Sequence, residues 1–317
     1  MLFPQHSDTN RLDVLVIGSV NVDLGLRIDR FPSAGQTIAA TSTFEGPGGK
    51  GANQALAAAR MDGRVGLLAA VGSDASSALE PLRDAGVDLR HLVEVPGVPS
   101  GRAVLLIAGD DNAIVVMPGA NAHLTPGHIR SYLAVSEPPR MVVLQHEIPR
   151  ETVEFAVRAF AGRSRVVLNP SPYREVPADV LDLVDVLVVN AGELADLSGA
   201  PTPHSVDEAR DLLARTPIAG DVVVTVGADG ALLRTAGRLS HVPSPRVDVV
   251  DTVGAGDAFL GALVARLCDG DSLDRAAQWA AAAAAITVSG TGAAGGDVNP
   301  FTVGSLLASM PDAITSP

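Results

Sequence analysis

Three short stretches hold the residues best suited to chemistry. "DTVGAGDAF" (251–259) sets Asp257 behind a Gly254-Ala255-Gly256 run and ahead of an apolar stretch that reads as a helix. Glycines there let successive backbone N–H groups converge, and the helix adds the positive end of its dipole. Such a hole stabilises negative charge developing on a transferring phosphoryl group. An Asp at the helix start can then accept a proton from an attacking hydroxyl. The alternative is a simple helix cap, although a cap does not need the Gly-Ala-Gly before it.

"GPGGKGANQALAAAR" (46–60) joins Gly-rich backbone, Lys50 and Asn53 to the start of an Ala-rich helix. It is not a Walker A loop, because no Ser or Thr follows the Lys and Phe44 stands where the first Gly belongs. No Gly-x-Gly-x-x-Gly fingerprint follows the first strand either, which removes support for an oxidoreductase. The glycines let backbone approach a ligand, and Lys50 and Asn53 can hydrogen-bond hydroxyls; the bland reading is a tight turn with a solvated Lys. "SVNVD" (19–23) puts Asn21 and Asp23 two residues apart, on one face of an extended chain. An amide and a carboxylate suit a vicinal diol, which needs donors and acceptors. An Asx-turn closing the strand is the alternative. The histidines lack metal-ligand spacing, His146 in "LQHE" reads as a packed strand-end residue, and no G-x-S-x-G elbow occurs.

Elements able to position these groups recur along the chain. The β-branched runs "DVLVIGSVNVD", "MVVLQHEIP", "RVVLNPSP", "DVLVVNAGE" and "DVVVTVGADG" end abruptly in small or polar residues. Amphipathic stretches such as "RETVEFAVRAFAG" lie between most of them, so the pattern predicts βαβ units and a largely parallel sheet covered on both faces. Ligands bind outside the carboxyl ends of such strands, which is where Glu147, Asn169, Asn190, Glu193, Thr225 and Gly227 should lie. Residues 22–45 and 101–117 break the pattern, reading as short extended stretches joined by turns such as "GDDN". They are expected to form a small β appendage serving as lid or dimer surface, the alternative being extra edge strands.

Composition bounds the partners. The 317 residues are 47% hydrophobic and 19% charged, which describes a folded chain, and aromatics at 3% offer few platforms for stacking bases. A formal net charge of −13 without any Lys/Arg cluster excludes an extended nucleic-acid or anionic-membrane surface. The single cysteine, Cys268, permits no internal disulfide and reads as buried and inert. "MLFPQHSDTNR" has no signal-peptide pattern, and "WAAAAAAITV" is too short to span a bilayer and reads as a buried helix. A cytoplasmic protein is expected.

Together these motifs resemble the ribokinase-like, or PfkB, family of carbohydrate kinases, along essentially the whole chain and in family order. GGKGAN (48–53) and DTVGAGD (251–257) match its two signatures. "GSVNVD", "GGKGANQA", "PGANAHLTP", "LNPSP" and "TVGADG" are most similar to the ribokinase branch. The resemblance implies a three-layer α/β/α sandwich spanning residues 1–317 as one domain, with a mostly parallel central sheet and a β-sheet lid that also clasps a homodimer. It implies sugar-hydroxyl contacts from Asn21, Asp23, Gly49, Lys50, Asn53 and Glu147, with Ala103 and Leu105 on the lid's apolar face. Asp257 would be the catalytic base, with the backbone of Gly254, Ala255 and Gly256 as anion hole. Asn190 and Glu193 would organise phosphate and Mg²⁺, partly through water. Thr225, Val226, Gly227, Ala228, Asp229 and Gly230 would line the ATP site. A K⁺ site would use Asp251 and the carbonyls of Val253, Thr287, Gly290 and Gly292, with Gly296 where Ser is frequent. Ala281 stands where a His or Asn often meets adenine, which implies weaker base contact. The implied reaction is ATP-dependent phosphorylation of the primary hydroxyl of a pentose, D-ribose first. A nucleoside, fructose or a ketodeoxy sugar is the alternative acceptor, and a non-catalytic sugar sensor the alternative of another class.

Overall fold

Short runs such as VLVI (14–17) have no solvent-exposed face, as strands covered by helices on both sides must. The computed structural model describes residues 11–109, 111–293 and 295–310. In chain order the first half contains β1 (Val14–Ile17), β2 (Asn21–Arg27), β3 (Ser42–Gly48), α1 (Lys50–Arg60), β4 (Val65–Leu68), β5 (Ala70–Val71), α2 (Ser76–Asp84), β6 (Val93–Glu94), β7 (Arg102–Ala108) and β8 (Asp111–Met117). Then follow α3 (Pro126–Val135), β9 (Met141–Gln145), α4 (Arg150–Phe160), β10 (Arg165–Asn169), α5 (Ala178–Leu181), β11 (Val186–Asn190), α6 (Ala191–Ser198) and α7 (Val206–Arg215). The last part holds β12 (Asp221–Thr225), β13 (Ala231–Thr235), β14 (Arg238–Val242), α8 (Ala255–Cys268), α9 (Leu273–Val288) and α10 (Pro300–Ser309).

Eight strands form the main sheet in the order β14-β13-β12-β11-β10-β9-β1-β4. Pairing is parallel from β4 through β12, and β13 and β14 close one edge antiparallel. Alternation along β1 sends Val14 and Val16 to one apolar layer and Leu15 and Ile17 to the other. The first layer is covered by α1, α2, α8, α9 and α10, and the second by α3 to α7. Ala-rich faces let α8 and α1 approach closely: a Cβ on Gly261 would fall 2.4 Å from Ala57 Cβ. The Ala run expected to be a buried helix is the core of α9, where Ala281 packs inward at 2% exposure. Its methyl therefore belongs to the core.

Four further strands form a separate sheet, β3-β2-β7-β8. Its second half matches the expected 101–117 boundary. Its first half differs: β3 runs to Gly48, past residue 45, and residues 28–41 form no strand. "EGPGG" looks like a loop because Pro and Gly interrupt strands, yet β3 is an edge strand, where Pro47 is tolerated. Part of the "GDDN" turn lies outside the described residues.

Candidate active site

The carboxyl ends of β9, β10, β11 and β12 deliver Gln145, Asn169, Asn190 and Thr225 to one edge of the main sheet. Glycine run 48–51 then brings α1 across that edge. Gly49 has φ +88°, and a Cβ on it would fall 2.9 Å from the Asn21 nitrogen; one on Gly48 would fall 1.9 Å from Asp23 Oδ2. The bare backbone of this run makes room for β2 and its carboxylate.

Asp257 lies in the first turn of α8, buried at 6% exposure. Its Oδ2 accepts from Asn53 Nδ2 at 3.1 Å and its Oδ1 from Gln54 Nε2 at 2.9 Å. The two signatures, more than 200 residues apart, therefore meet at one carboxylate. Gly254 caps α8 with φ +79°, and a Cβ there would fall 2.4 Å from Ala293 Cα. No side chain caps this helix; the Ala255 N–H makes a long 3.4 Å hydrogen bond to Thr252 O, and the N–H groups from Gly256 onward keep their polarity for a ligand. No protein atom lies within 4 Å of a Cβ built on Gly256, so the space before this turn is open.

Asn21 and Asp23 project from one face of β2, as their spacing required. Asn121 fixes Asn21: the Val20 N–H donates to Asn121 Oδ1 at 3.0 Å, and Asn121 Nδ2 donates to Asn21 Oδ1 at 2.8 Å. Asn21 thus keeps one lone pair and its amide hydrogens, which also reach Asp23, and Asp23 adds a charged acceptor beside it. Asp23 Oδ1 accepts from the Ala103 N–H at 2.9 Å. Burial pushes the Asp23 carboxyl up to about 6 against that hydrogen bond, with the negative charge of Glu147 adding to the rise. Glu147 Oε2 accepts from Ser19 Oγ at 2.5 Å and from the Lys50 N–H at 2.9 Å, which ties it to the start of α1. The Lys50 ammonium is held above its usual range by Asp257 first, and by Glu147 and Glu193, against the opposing effect of burial. One cation thus serves three carboxylates around an open space.

Asn190 and Glu193 turn out to face each other. Asn190 Oδ1 accepts from the Glu193 N–H at 2.8 Å and Glu193 Oε2 from the Asn190 N–H at 2.9 Å, a capping box for α6. That leaves Glu193 Oε1 and the Asn190 amide hydrogens for other partners. Thr225 pairs with Asn190 across the sheet, and Val226 to Gly230 turn tightly into β13, the Val226 N–H donating to Gly230 O at 2.9 Å. Asp251 binds its own loops: Oδ1 accepts from the Val253 N–H at 3.0 Å and Oδ2 from the Gly292 N–H at 2.8 Å. The Gly290 N–H donates to Thr287 O at 3.1 Å, and a Cβ on Gly290 would fall 2.2 Å from the Gly296 nitrogen. The residues expected around a cation are therefore gathered in one loop cluster beside α8. All offer oxygen, which fits hard cations, and each carbonyl keeps a second lone pair. Gly296 has φ +68°, a value glycine adopts and serine resists. Among the described residues no group of three His, Cys, Asp or Glu gathers as a metal site.

The decisive observation is the match of residues 11–299 to the family described as pfkB family carbohydrate kinase. The chain belongs to that family. It is similar to a ribokinase of Bacillus subtilis, 36% identical over 287 residues that cover 90% of this chain and 95% of that protein. It is 35% identical over 289 residues to a deoxyribokinase of Salmonella typhi, covering 89% and 94%. Among solved structures it resembles the Arabidopsis thaliana ribokinase complexed with ribose and ATP, with a TM-score of 0.83 and 30% identity over 94% of this chain and 99% of that one. This pfkB-family kinase is accordingly a phosphotransferase acting on a sugar hydroxyl, with the ribokinase fold.

Ser19, Gln54, Asn121 and Gln145 hold the kinase's site together yet escaped the sequence reading. Ser19, Gln54, Asn121 and Gln145 stood inside quoted motifs, but nothing local distinguishes an amide that grips a carboxylate from one that faces water. His146 is packed as expected: burial and then Arg174 push its imidazole down to about 4. Burial likewise pushes the Cys268 thiol up to about 12, the mark of an unreactive sulfur.

Proposed function

We propose that the protein transfers the γ-phosphoryl group of ATP to the primary hydroxyl of D-ribose, giving ribose 5-phosphate. The observation carrying this reading is Asp257: a buried carboxylate at the uncapped start of α8, gripped by Asn53 and facing the Lys50 charge. Asn21 donates to sugar hydroxyls while Asp23 and the second oxygen of Glu147 accept from them. Asp257 takes the hydroxyl proton as the sugar oxygen attacks the γ-phosphorus in line and the bond to the ADP oxygen breaks. The N–H groups of Gly256 and Asp257, with Lys50 and with the Ala255 N–H once it leaves its long bond to Thr252 O, stabilise the charge on the equatorial oxygens. Thr225 to Gly230 line the nucleotide site. Glu193 and Asn190 would hold Mg²⁺ through water, and its bound charge would offset phosphate repulsion from the surrounding carboxylates. The Asp251 loop cluster would hold K⁺ behind the anion hole.

The chain is read as one domain from 1 to 317, with the small sheet as lid. Phe44, Leu105, Ile114 and Val116 share the sheet face that carries Asp23, and Phe44, Ile114 and Val116 are roughly half exposed. That apolar flank supports a homodimer clasped through the lid. No helix among the described residues is long and apolar enough to cross a membrane. The use of ATP argues for a cytoplasmic setting.

Asp257→Asn tests the reading directly. Turnover should fall about 10²–10⁴-fold, the worth of a general base, with ribose and ATP binding retained. Near-full turnover in that variant would remove Asp257 from the mechanism. Because a deoxyribokinase is among the similar proteins, 2-deoxyribose belongs in the acceptor panel with ribose, fructose, a ketodeoxy sugar and nucleosides.

A further inference from the structure

Behind Asp257, on the side away from the open space, lies a chain of buried amides that no step above uses. Gln54, at 1% exposure on α1, donates from Nε2 to Asp257 Oδ1 at 2.9 Å and to Asn169 Oδ1 at 3.3 Å. Its Oε1 accepts from Gln145 Nε2 at 2.6 Å, and Gln145 is wholly buried. Asn169 Nδ2 in turn donates to the Val188 carbonyl at 2.9 Å. Both ends of this chain, a carbonyl and a carboxylate, can only accept hydrogen bonds. The orientation of every amide between them is therefore dictated: Asn169 must turn its oxygen to Gln54, and Gln54 its nitrogen to Asp257.

We infer that Gln54, locked by Gln145 and Asn169, is the positioning residue that aims the Asp257 carboxylate at the acceptor hydroxyl. The inference rests on the reading of Asp257 as base. Asn53 grips the other oxygen but lies on the substrate side, where ligand exchange can disturb it. Gln54 is fixed by the ends of β9 and β10, elements of the rigid sheet, and water does not reach it. A carboxylate held at Oδ1 has only rotation about that bond left, and Asn53 removes it. Space for the relay is also built in: a Cβ on Gly18 would fall 2.0 Å from Gln145 Oε1. That oxygen has no hydrogen-bond partner among the described atoms, so Gln145 is committed through its nitrogen to Gln54.

Two near-isosteric variants test the assignment. Gln54→Met keeps the volume and loses the hydrogen bond, so kcat should fall about 10- to 100-fold. KM for ribose and for ATP should change less than about 3-fold, since Gln54 touches neither. Gln54→Glu sets a second carboxyl against Asp257, so the two share a proton. The acid limb of its kcat profile should move up from that of wild type by a pH unit or more, and by more than in Gln54→Met, which only loses a donor to the carboxylate. The charged group acting on Asp257 is Lys50 on α1, whose ammonium also answers to Glu147 after β9 and Glu193 on α6, and all three are unchanged in both variants. Wild-type kcat in Gln54→Met, or an unmoved limb in Gln54→Glu, overturns the inference. So does a matching loss in KM. Should neither variant fold, Gln145→Met leaves Gln54 in place without its anchor and should show the same kcat loss; failure of all three to fold would assign position 54 to packing alone. Asp257→Asn run alongside separates the two claims: if it stays active the base reading fails, and if it alone is inactive only the relay fails.

Discussion

Asp23 shows most plainly how a single residue trades stability for binding. Its carboxyl rises from 3.8 to about 6 on folding, chiefly through burial. Below about pH 4 it is protonated in both states and nothing is lost. As pH rises through 6 it must ionise inside the fold, and native stability declines. Asp23→Asn keeps the acceptor for the Ala103 N–H but cannot ionise. It should raise stability by about 1–2 kcal/mol near pH 8, allowing for partial exposure, and hardly at all near pH 4. Thermal unfolding at the two pH values checks this, and an equal gain at both would contradict it. Ribose KM should rise about 10-fold or more in the same variant, through loss of a charged acceptor. The pairing of Asn21 with Asp23 was legible from spacing alone. That Asn121 occupies the Asn21 oxygen was not, because that contact joins residues 100 positions apart.

At the scale of elements, the start of α8 separates two uses of glycine. Gly254 holds φ +79° against the Ala293 backbone, so Gly254→Ala should destabilise by about 2–4 kcal/mol. Gly256 faces open space in helical backbone, so Gly256→Ala should leave stability equal or up to about 1 kcal/mol higher. With the phosphoryl group placed before this turn as proposed above, its methyl would crowd the site, and activity should fall at least about 10-fold. Denaturant unfolding and initial rates read both effects together; similar destabilisation in the two variants would contradict the assignment. The sequence sets Gly254 and Gly256 two residues apart, yet does not tell which of them the fold itself requires. β8 makes a second case. Ile114 and Val116 were legible as strand residues, but their exposure follows only from β8 lying at a sheet edge. For the homodimer proposed above, wild type should sediment as a dimer and the double variant Ile114→Lys, Val116→Glu as a monomer with a raised ribose KM; a dimer in both would place the interface elsewhere, and a monomeric wild type would remove the proposal.

Over the whole molecule, the parallel sheet was legible because buried β-branched runs alternate with amphipathic stretches, and each run's polar terminus marked the ligand edge. Contacts across that edge were less legible. Lys50, Glu147, Glu193 and Asp257 lie far apart in sequence, and only the fold makes one ammonium answer to three carboxylates. This charge arrangement suits a sugar held by hydrogen bonds and a nucleotide that arrives with its own cation. The most direct measurement of the central claim is ADP formation from ATP with Mg²⁺ and K⁺ across the acceptor panel, in wild type and in Asp257→Asn. The account expects ADP to form with ribose, one for each ribose 5-phosphate, and about 10²–10⁴-fold more slowly in the variant. ADP formation indifferent to ribose, or equal rates in the two proteins, would contradict it.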